Sequence, residues 1–272
     1  MSSHDVSTDL RQLTDFDWRD RYSTSRNDLY LDFYAPAMAR SANYDRAVGF
    51  FRSTVFSLAG SAVAQFALRG GHIRLVCSPE MSAEDAQAIE NALELRNAVE
   101  KSMLRELERI LESPTARPGL ELLAALVATG HMDVRLCIWP VSRGLFHDKI
   151  GVFRDRRGNA ISFIGSANET WQAWNTHGNH ESFEVFESWT SEKPRVDAHL
   201  AYFESLWEGR EPSLKTIEVP EAVRRALIRV NSESPEGIIG GLARAGRHRV
   251  VSRGGAHGAR RAAGDVDTDP GG

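Results

Sequence analysis

Four side-chain types that suit a phosphate fall within a short span of this 272-residue chain. F-H-D-K, starting at Phe146, sets His147 and Lys149 two residues apart, and Gly165-Ser166-Ala167-Asn168 follows downstream. On a strand, residues two apart project from the same face. Strand-like runs at 146–153 and 160–164 flank Asp155-Arg156-Arg157-Gly158-Asn159. That turn-forming cluster predicts a β-hairpin, which would return the G-S-A-N segment to the side of His147 and Lys149. An imidazole, an ammonium, a hydroxyl and an amide converging on one spot suit a phosphate far better than a hydrophobic core.

H-x-K, then G-S-x-N, then a later glutamate resembles the phospholipase D superfamily. It is most similar to bacterial nuclease-type members, including the domains found at the front of some DNA helicases and restriction systems. The resemblance covers roughly residues 18–210, beginning with D-R-Y-S-T-S-R-N-D-L-Y and continuing through Y-D-R-A-V-G-F-F. It implies an α/β fold, a mixed β-sheet flanked by helices, built as two pseudo-repeated halves. Only the second half carries the motif, because the first offers His72-Ile73-Arg74 with no lysine and no G-S-x-N after it. The family's aspartate position falls on Arg154, with Asp155 one residue on, so Asp155 is left without an assigned role.

The resemblance also assigns roles. His147 would attack phosphorus and form a covalent phosphohistidine, dividing one hard displacement into two. Lys149 would place a compact positive charge on the non-bridging oxygens, and Ser166 and Asn168 would donate hydrogen bonds to them. Glu181 in N-H-E matches the glutamate that orients the histidine, ahead of Glu184. A second histidine must protonate the leaving oxygen. With one H-x-K in the chain, that histidine is expected from a second copy, giving a two-fold homodimer. Gly165, Arg156 and Arg157 are candidate substrate contacts, the two arginines reaching a neighbouring phosphate from the hairpin turn.

His177, His180 and Glu181 are close in sequence, but a third well-placed ligand is missing locally, so neither metal nor cofactor is expected. A net charge of −4 argues against a broad basic groove. Residues 241–272 hold six arginines and three aspartates, leaving 27 basic against 34 acidic groups elsewhere. Nucleic-acid contact is therefore expected to be local or supplied by a partner, with a helicase partner or fusion as the context and DNA favoured over RNA. No G-x-x-x-x-G-K-[ST] loop is present, so no motor activity is expected from this chain.

The elements that must position these residues read as alternating strands and helices. Strands are predicted at 47–51, 72–78, 132–139 and 182–188, and helices at 27–34 (ended by Pro36), 55–69, 193–207 and 219–230. Ser82 and Asp85 read as a capping box opening a long amphipathic helix broken by Pro114. The segmentation is a flexible N-terminus at 1–17, the phospholipase D-like domain at 18–210, a helical extension at 211–232, and a disordered Gly/Arg/Ala-rich tail at 233–272. Phe50, Phe51, Trp171 and Trp174 border the predicted cleft, with core packing the main expectation for them. No apolar run approaches the ~20 residues of a membrane span. The N-terminus lacks a secretory pattern, and two cysteines make no disulfide framework, so a cytoplasmic setting without membrane contact is expected. Three functions fit: a metal-independent DNA endonuclease of restriction or phage-defence type, a non-catalytic binding module of a helicase system, or a lipid phosphodiesterase.

Overall fold

The computed structural model describes residues 11–49, 51–79, 92–139, 146–168, 170–174, 178–231 and 234–245. Eight strands form one sheet: β1 (Arg21–Ser23), β2 (Asn43–Val48), β3 (His72–Cys77), β4 (Met132–Ile138), β5 (Lys149–Arg154), β6 (Ala160–Gly165), β7 (Ser182–Glu187) and β8 (Lys215–Glu218). Their order is β1-β7-β6-β5-β2-β3-β4-β8. The β2–β3 and β3–β4 pairs are parallel and every other pair is antiparallel. Helices α1 (Ala35–Arg40), α2 (Phe56–Leu68), α3 (Ala92–Leu111), α4 (Arg117–Ala128), α5 (Trp171–Trp174), α6 (Lys193–Trp207), α7 (Glu221–Ile228) and α8 (235–245) flank the sheet. The expected mixed sheet flanked by helices is present.

Side-chain alternation gives the sheet two apolar faces, as a sheet covered on both sides requires. One face packs Phe153, Phe163, Phe183 and Tyr44 against Tyr22, Phe33 and Tyr34 from the N-terminal segment and against Trp174. The other packs Ala47, Val76, Ile150 and Phe146 against Phe203 and Leu206 of α6. Residues 146–154 therefore run between two cores.

Several boundaries differ from expectation. Pro36 sits in the first turn of α1, directly after a π-helical turn at Tyr30–Tyr34. The helical path does not end before the proline, since Tyr34 and Ala35 keep helical backbone and Ala35 N–H donates to the Tyr30 carbonyl across the wider turn. At the expected flexible N-terminus, residues 11–17 pack on the domain: Leu13 is fully buried and its N–H donates to Asp155 Oδ2 at 3.2 Å. The domain does not stop at 210, since β8 pairs with β4 through Arg135↔Glu218 to Ile138↔Lys215. Residues 235–245 are helical although they begin the expected disordered tail. Ile239 and Ala243, four apart on one helical face, are buried in the main core. The expected Ser82–Asp85 capping box lies outside the described residues. Among the described residues, no helix is long and apolar enough to cross a membrane.

Candidate active site

The candidate residues meet at one end of the sheet, where β2 and β3 finish and β5 begins. Lys149 opens β5 opposite Val48, the last residue of β2. His147 precedes the strand, so the H-x-K pair straddles its start. The two still converge: Lys149 Nζ lies 3.0 Å from His147 Nε2 and donates to the His147 carbonyl at 3.0 Å. His147 is exposed, whereas Lys149 is buried.

The hairpin brings the second motif alongside. β5 and β6 pair from Arg154↔Ala160 to Ile150↔Ile164, placing Gly165 at the end of β6 and Ser166 just past it. Gly165 is there for space: a Cβ would stand 2.2 Å from the Ser182 carbonyl oxygen and 2.5 Å from Phe183 Cα. Ser166 exchanges backbone and side-chain bonds with Ser182, its N–H donating at 2.9 Å and its Oγ accepting from Ser182 N–H at 3.1 Å. Its hydroxyl donates to Glu181 Oε2. Glu181 is buried, and Asn179 Nδ2 donates to its other oxygen at 3.2 Å. Asn168 is half-buried two residues beyond Ser166. Glu184 faces Arg21 and Ile164 across the sheet, on the opposite side from Lys149 and away from the cluster.

Arg156 and Arg157 do not join this group. They occupy the hairpin turn at the far end of β5, roughly 20 Å of strand from Lys149, where Arg156 donates to the Arg69 carbonyl. Asp155 is a turn-forming residue: its carboxylate accepts from the N–H groups of Arg157 at 2.9 Å and Asn159 at 3.0 Å, and from Leu13. The predicted H-x-x-H pair cannot be placed, because His177 lies outside the described residues. So do Phe50 and Glu169. Trp174 is buried and stacks on Tyr34 at 3.7 Å, a core role. Beyond Asn168, the single helical turn α5 spans Trp171–Trp174.

Three contributors were not singled out from sequence. Arg46, on β2, is buried on the same face as Lys149 and donates to the Ala167 carbonyl, tying β2 to the G-S-A-N loop. Its signal was a charge inside the apolar strand Y-D-R-A-V. Gly49 abuts His147, with a notional Cβ 2.9 Å from His147 Cδ2 and 3.2 Å from its Cα. Tyr202, on α6, donates its hydroxyl to Asp148 Oδ2, gripping the middle residue of H-D-K from the opposite face. Burial, and then the bond to Asp148, push the Tyr202 phenol well above its ordinary range.

Electrostatics bear mainly on Lys149. Burial depresses its ammonium pKa, the nearby Arg46 charge depresses it further, and Glu181 and Asp148 oppose both. This end of the sheet thus brings together a histidine nitrogen, a poised ammonium and a hydroxyl anchored on a buried carboxylate. Such a group can receive an anion and stabilise added negative charge.

Comparison with solved structures returns weak overall likenesses. NucT from Helicobacter pylori aligns at 13% identity and TM-score 0.39 over 69% of this chain and 94% of that one. A phosphatidylserine synthase from Haemophilus influenzae Rd KW20 aligns at 12% identity and TM-score 0.42, over 77% of this chain and 44% of that one. Nuc from Salmonella typhimurium, a phospholipase D family member, aligns at 12% identity and TM-score 0.36 over 64% and 84%. No curated protein matches. The family model described as "Cardiolipin synthase, PLD-like domain" matches residues 43–207, a span that holds β2 to β7 and every residue of the His147 cluster. With more than half of its length matched, the chain belongs to this PLD-like domain family, a branch of the phospholipase D superfamily of phosphodiesterases.

Proposed function

We propose that the protein is a metal-independent phosphodiesterase acting on DNA, an endonuclease of restriction or phage-defence type. The observation that carries this reading is the 3.0 Å approach of Lys149 Nζ to His147 Nε2 beside Ser166. Nucleophile and oxyanion donors then face one site.

In the proposed reaction, neutral His147 Nε2 attacks phosphorus, a P–N bond forms, and the P–O bond to the leaving nucleoside breaks. A second histidine gives its proton to that leaving oxygen. Water, deprotonated by the same histidine, then attacks phosphorus, and the P–N bond breaks to restore His147. Lys149, Ser166 and Asn168 hold the non-bridging oxygens, taking the part that a divalent cation plays in many nucleases. Glu181 orients the imidazole. The second histidine comes from a second copy of the chain, so the active species is a homodimer. The acidic net charge supports a helicase partner that delivers the DNA.

The test is cleavage of labelled single- and double-stranded DNA in excess EDTA, wild type beside His147→Ala. Cutting by wild type alone supports the reading; cutting by both variants overturns His147 as nucleophile. DNA binding without cutting by either favours a non-catalytic binding module. The description of the matched family favours one other reading, a lipid phosphodiesterase, which release of headgroup from phospholipid vesicles but no DNA cleavage would establish.

A further inference from the structure

The matched family span begins at residue 43, yet the active-site end of the sheet is completed by residues before it. β1 lies along the free edge of β7, in register Arg21↔Glu184, Tyr22↔Phe183 and Ser23↔Ser182. Tyr22 is buried and stacks on Phe183 at 5.6 Å, and Phe33 lies against both rings, at 5.1 Å from Tyr22 and 4.7 Å from Phe183. The chain then turns: Asn27 N–H donates to the Ser23 carbonyl at 2.8 Å, and Asn27 Oδ1 accepts from Ser23 N–H at 3.1 Å. This anchored turn presents Thr24 to the segment carrying Glu181.

Thr24 makes three hydrogen bonds there. Its N–H donates to the Glu181 carbonyl at 3.0 Å, its Oγ1 accepts from Glu181 N–H at 3.0 Å, and the same hydroxyl donates to the Asn179 carbonyl at 3.0 Å. Only a hydroxyl side chain can donate and accept in this way at that size. The backbone is thereby fixed at both Asn179 and Glu181. Asn179 Nδ2 is placed on one oxygen of the Glu181 carboxylate and Ser166 Oγ on the other. We propose that Thr24 is a positioning residue for Glu181, and that β1 with its following turn is an added support that completes this active site. The proposal rests on the reading of Glu181 as the carboxylate that orients His147.

The experiment compares Thr24→Val, Thr24→Ser, Glu181→Gln and the Thr24→Val/Glu181→Gln double variant with wild type. Hydrolysis of bis(p-nitrophenyl) phosphate by the 272-residue chain is measured, and the His147 ring signals are followed by NMR in parallel. Thr24→Val is expected to lose about tenfold in kcat with KM nearly unchanged, as misplacement of a catalytic group should produce. Thr24→Ser is expected to retain the rate. In the Glu181→Gln background, Thr24→Val is expected to add almost nothing, because the two act through one carboxylate. Both single variants are expected to shift the His147 ring signals in the same direction.

Full activity in Thr24→Val, losses that multiply in the double variant, or no rescue by serine would overturn the proposal. Full activity in Glu181→Gln beside an inactive His147→Ala would instead overturn the reading of Glu181 on which it rests. Where the wild type does not turn this substrate over, the NMR arm decides. His147 signals moved by Glu181→Gln but not by Thr24→Val would refute the positioning role alone.

Discussion

Gly49 packs against His147 so closely that a single added carbon would stand 2.9 Å from His147 Cδ2, 3.2 Å from its Cα and 3.2 Å from the Phe146 carbonyl oxygen. Two of those three neighbours are backbone atoms, and the segment that bears them is held from behind by Phe146, buried against α6. The imidazole is therefore seated on bare backbone, and no side chain at 49 can be accommodated without moving it. Gly49→Ala is expected to lower kcat about 100-fold, the scale of an ångström's misplacement, with a far smaller effect on KM. Its thermal midpoint should stay close to wild type, because the exposed imidazole can swing outward. Steady-state kinetics beside a melting curve check this, and a fully active Gly49→Ala would refute it.

Lys149 supplies a pH prediction. Its ammonium loses its proton below the usual lysine range, because of burial first and the Arg46 charge second. Activity that needs the ammonium should fall on the alkaline side earlier than an ordinary lysine would dictate. Arg46→Gln keeps a donor within reach of the Ala167 carbonyl and removes the charge, so the alkaline limb should move to higher pH. It should stop short of the ordinary lysine value, since burial remains. The stability sign is the reverse of the usual lysine case. A folded pKa below the unfolded one means that the unfolded chain binds more protons between the two values. Lys149 therefore lets stability rise with pH across that window, and Lys149→Met should flatten the rise. Rate profiles and urea unfolding against pH test both statements.

Tyr202 and Asp148 link α6 to the segment that leads into β5. The bond uses a charged acceptor but is open to solvent, so Tyr202→Phe is expected to cost only about 1 kcal/mol. The freed Asp148 would leave the entry to β5 less constrained, and the loss of rate should exceed what that cost implies for the folded fraction. Urea unfolding and turnover measured on the same preparation would show whether the two diverge.

The placement of the candidate residues was legible wherever it was local. His147 and Lys149, two apart, and Ser166, one hairpin away, are joined by neighbouring strands, so residue types and spacing were enough to bring them together. Arg46 and Gly49 reach the same spot through the β2–β5 pairing, across about a hundred residues, and no local period records that register. β1 is three residues long and shows no alternation to read. α8 was missed because Gly, Arg and Ala dominate its surroundings. Its apolar face is short, Ile239 and Ala243 buried with Ile238 and Leu242 packed partly beside them, and does not stand out from a low-complexity tail. Arg156 and Arg157 illustrate the opposite error, since basic residues near a motif in sequence lie at the far end of its strand in space.

Behind the catalytic face, Asp45 is buried at 1% exposure and takes both Arg74, at 2.7 and 2.9 Å, and Arg154, at 2.8 Å. Arg74 also grips Glu204 of α6 at 2.6 and 3.2 Å and lies over the rings of Phe203 and Trp207. Removing the shared acid should cost far more than removing the peripheral one. Asp45→Ala takes the carboxylate from Arg154 and leaves Arg74 with Glu204 alone, and is expected to cost about 3 kcal/mol, the low end for breaking a buried pair. Glu204→Gln, at a side chain 36% exposed, should cost about 1 kcal/mol or less once solvent screening is counted. The Arg74 bond holds the Glu204 carboxyl below its ordinary range. Its contribution is present above the unfolded carboxyl pKa and is lost as pH falls through the lower folded value. Denaturant midpoints from neutral to acid pH should therefore fall more steeply for wild type than for Glu204→Gln, and parallel curves would show that this ion pair contributes nothing to docking α6.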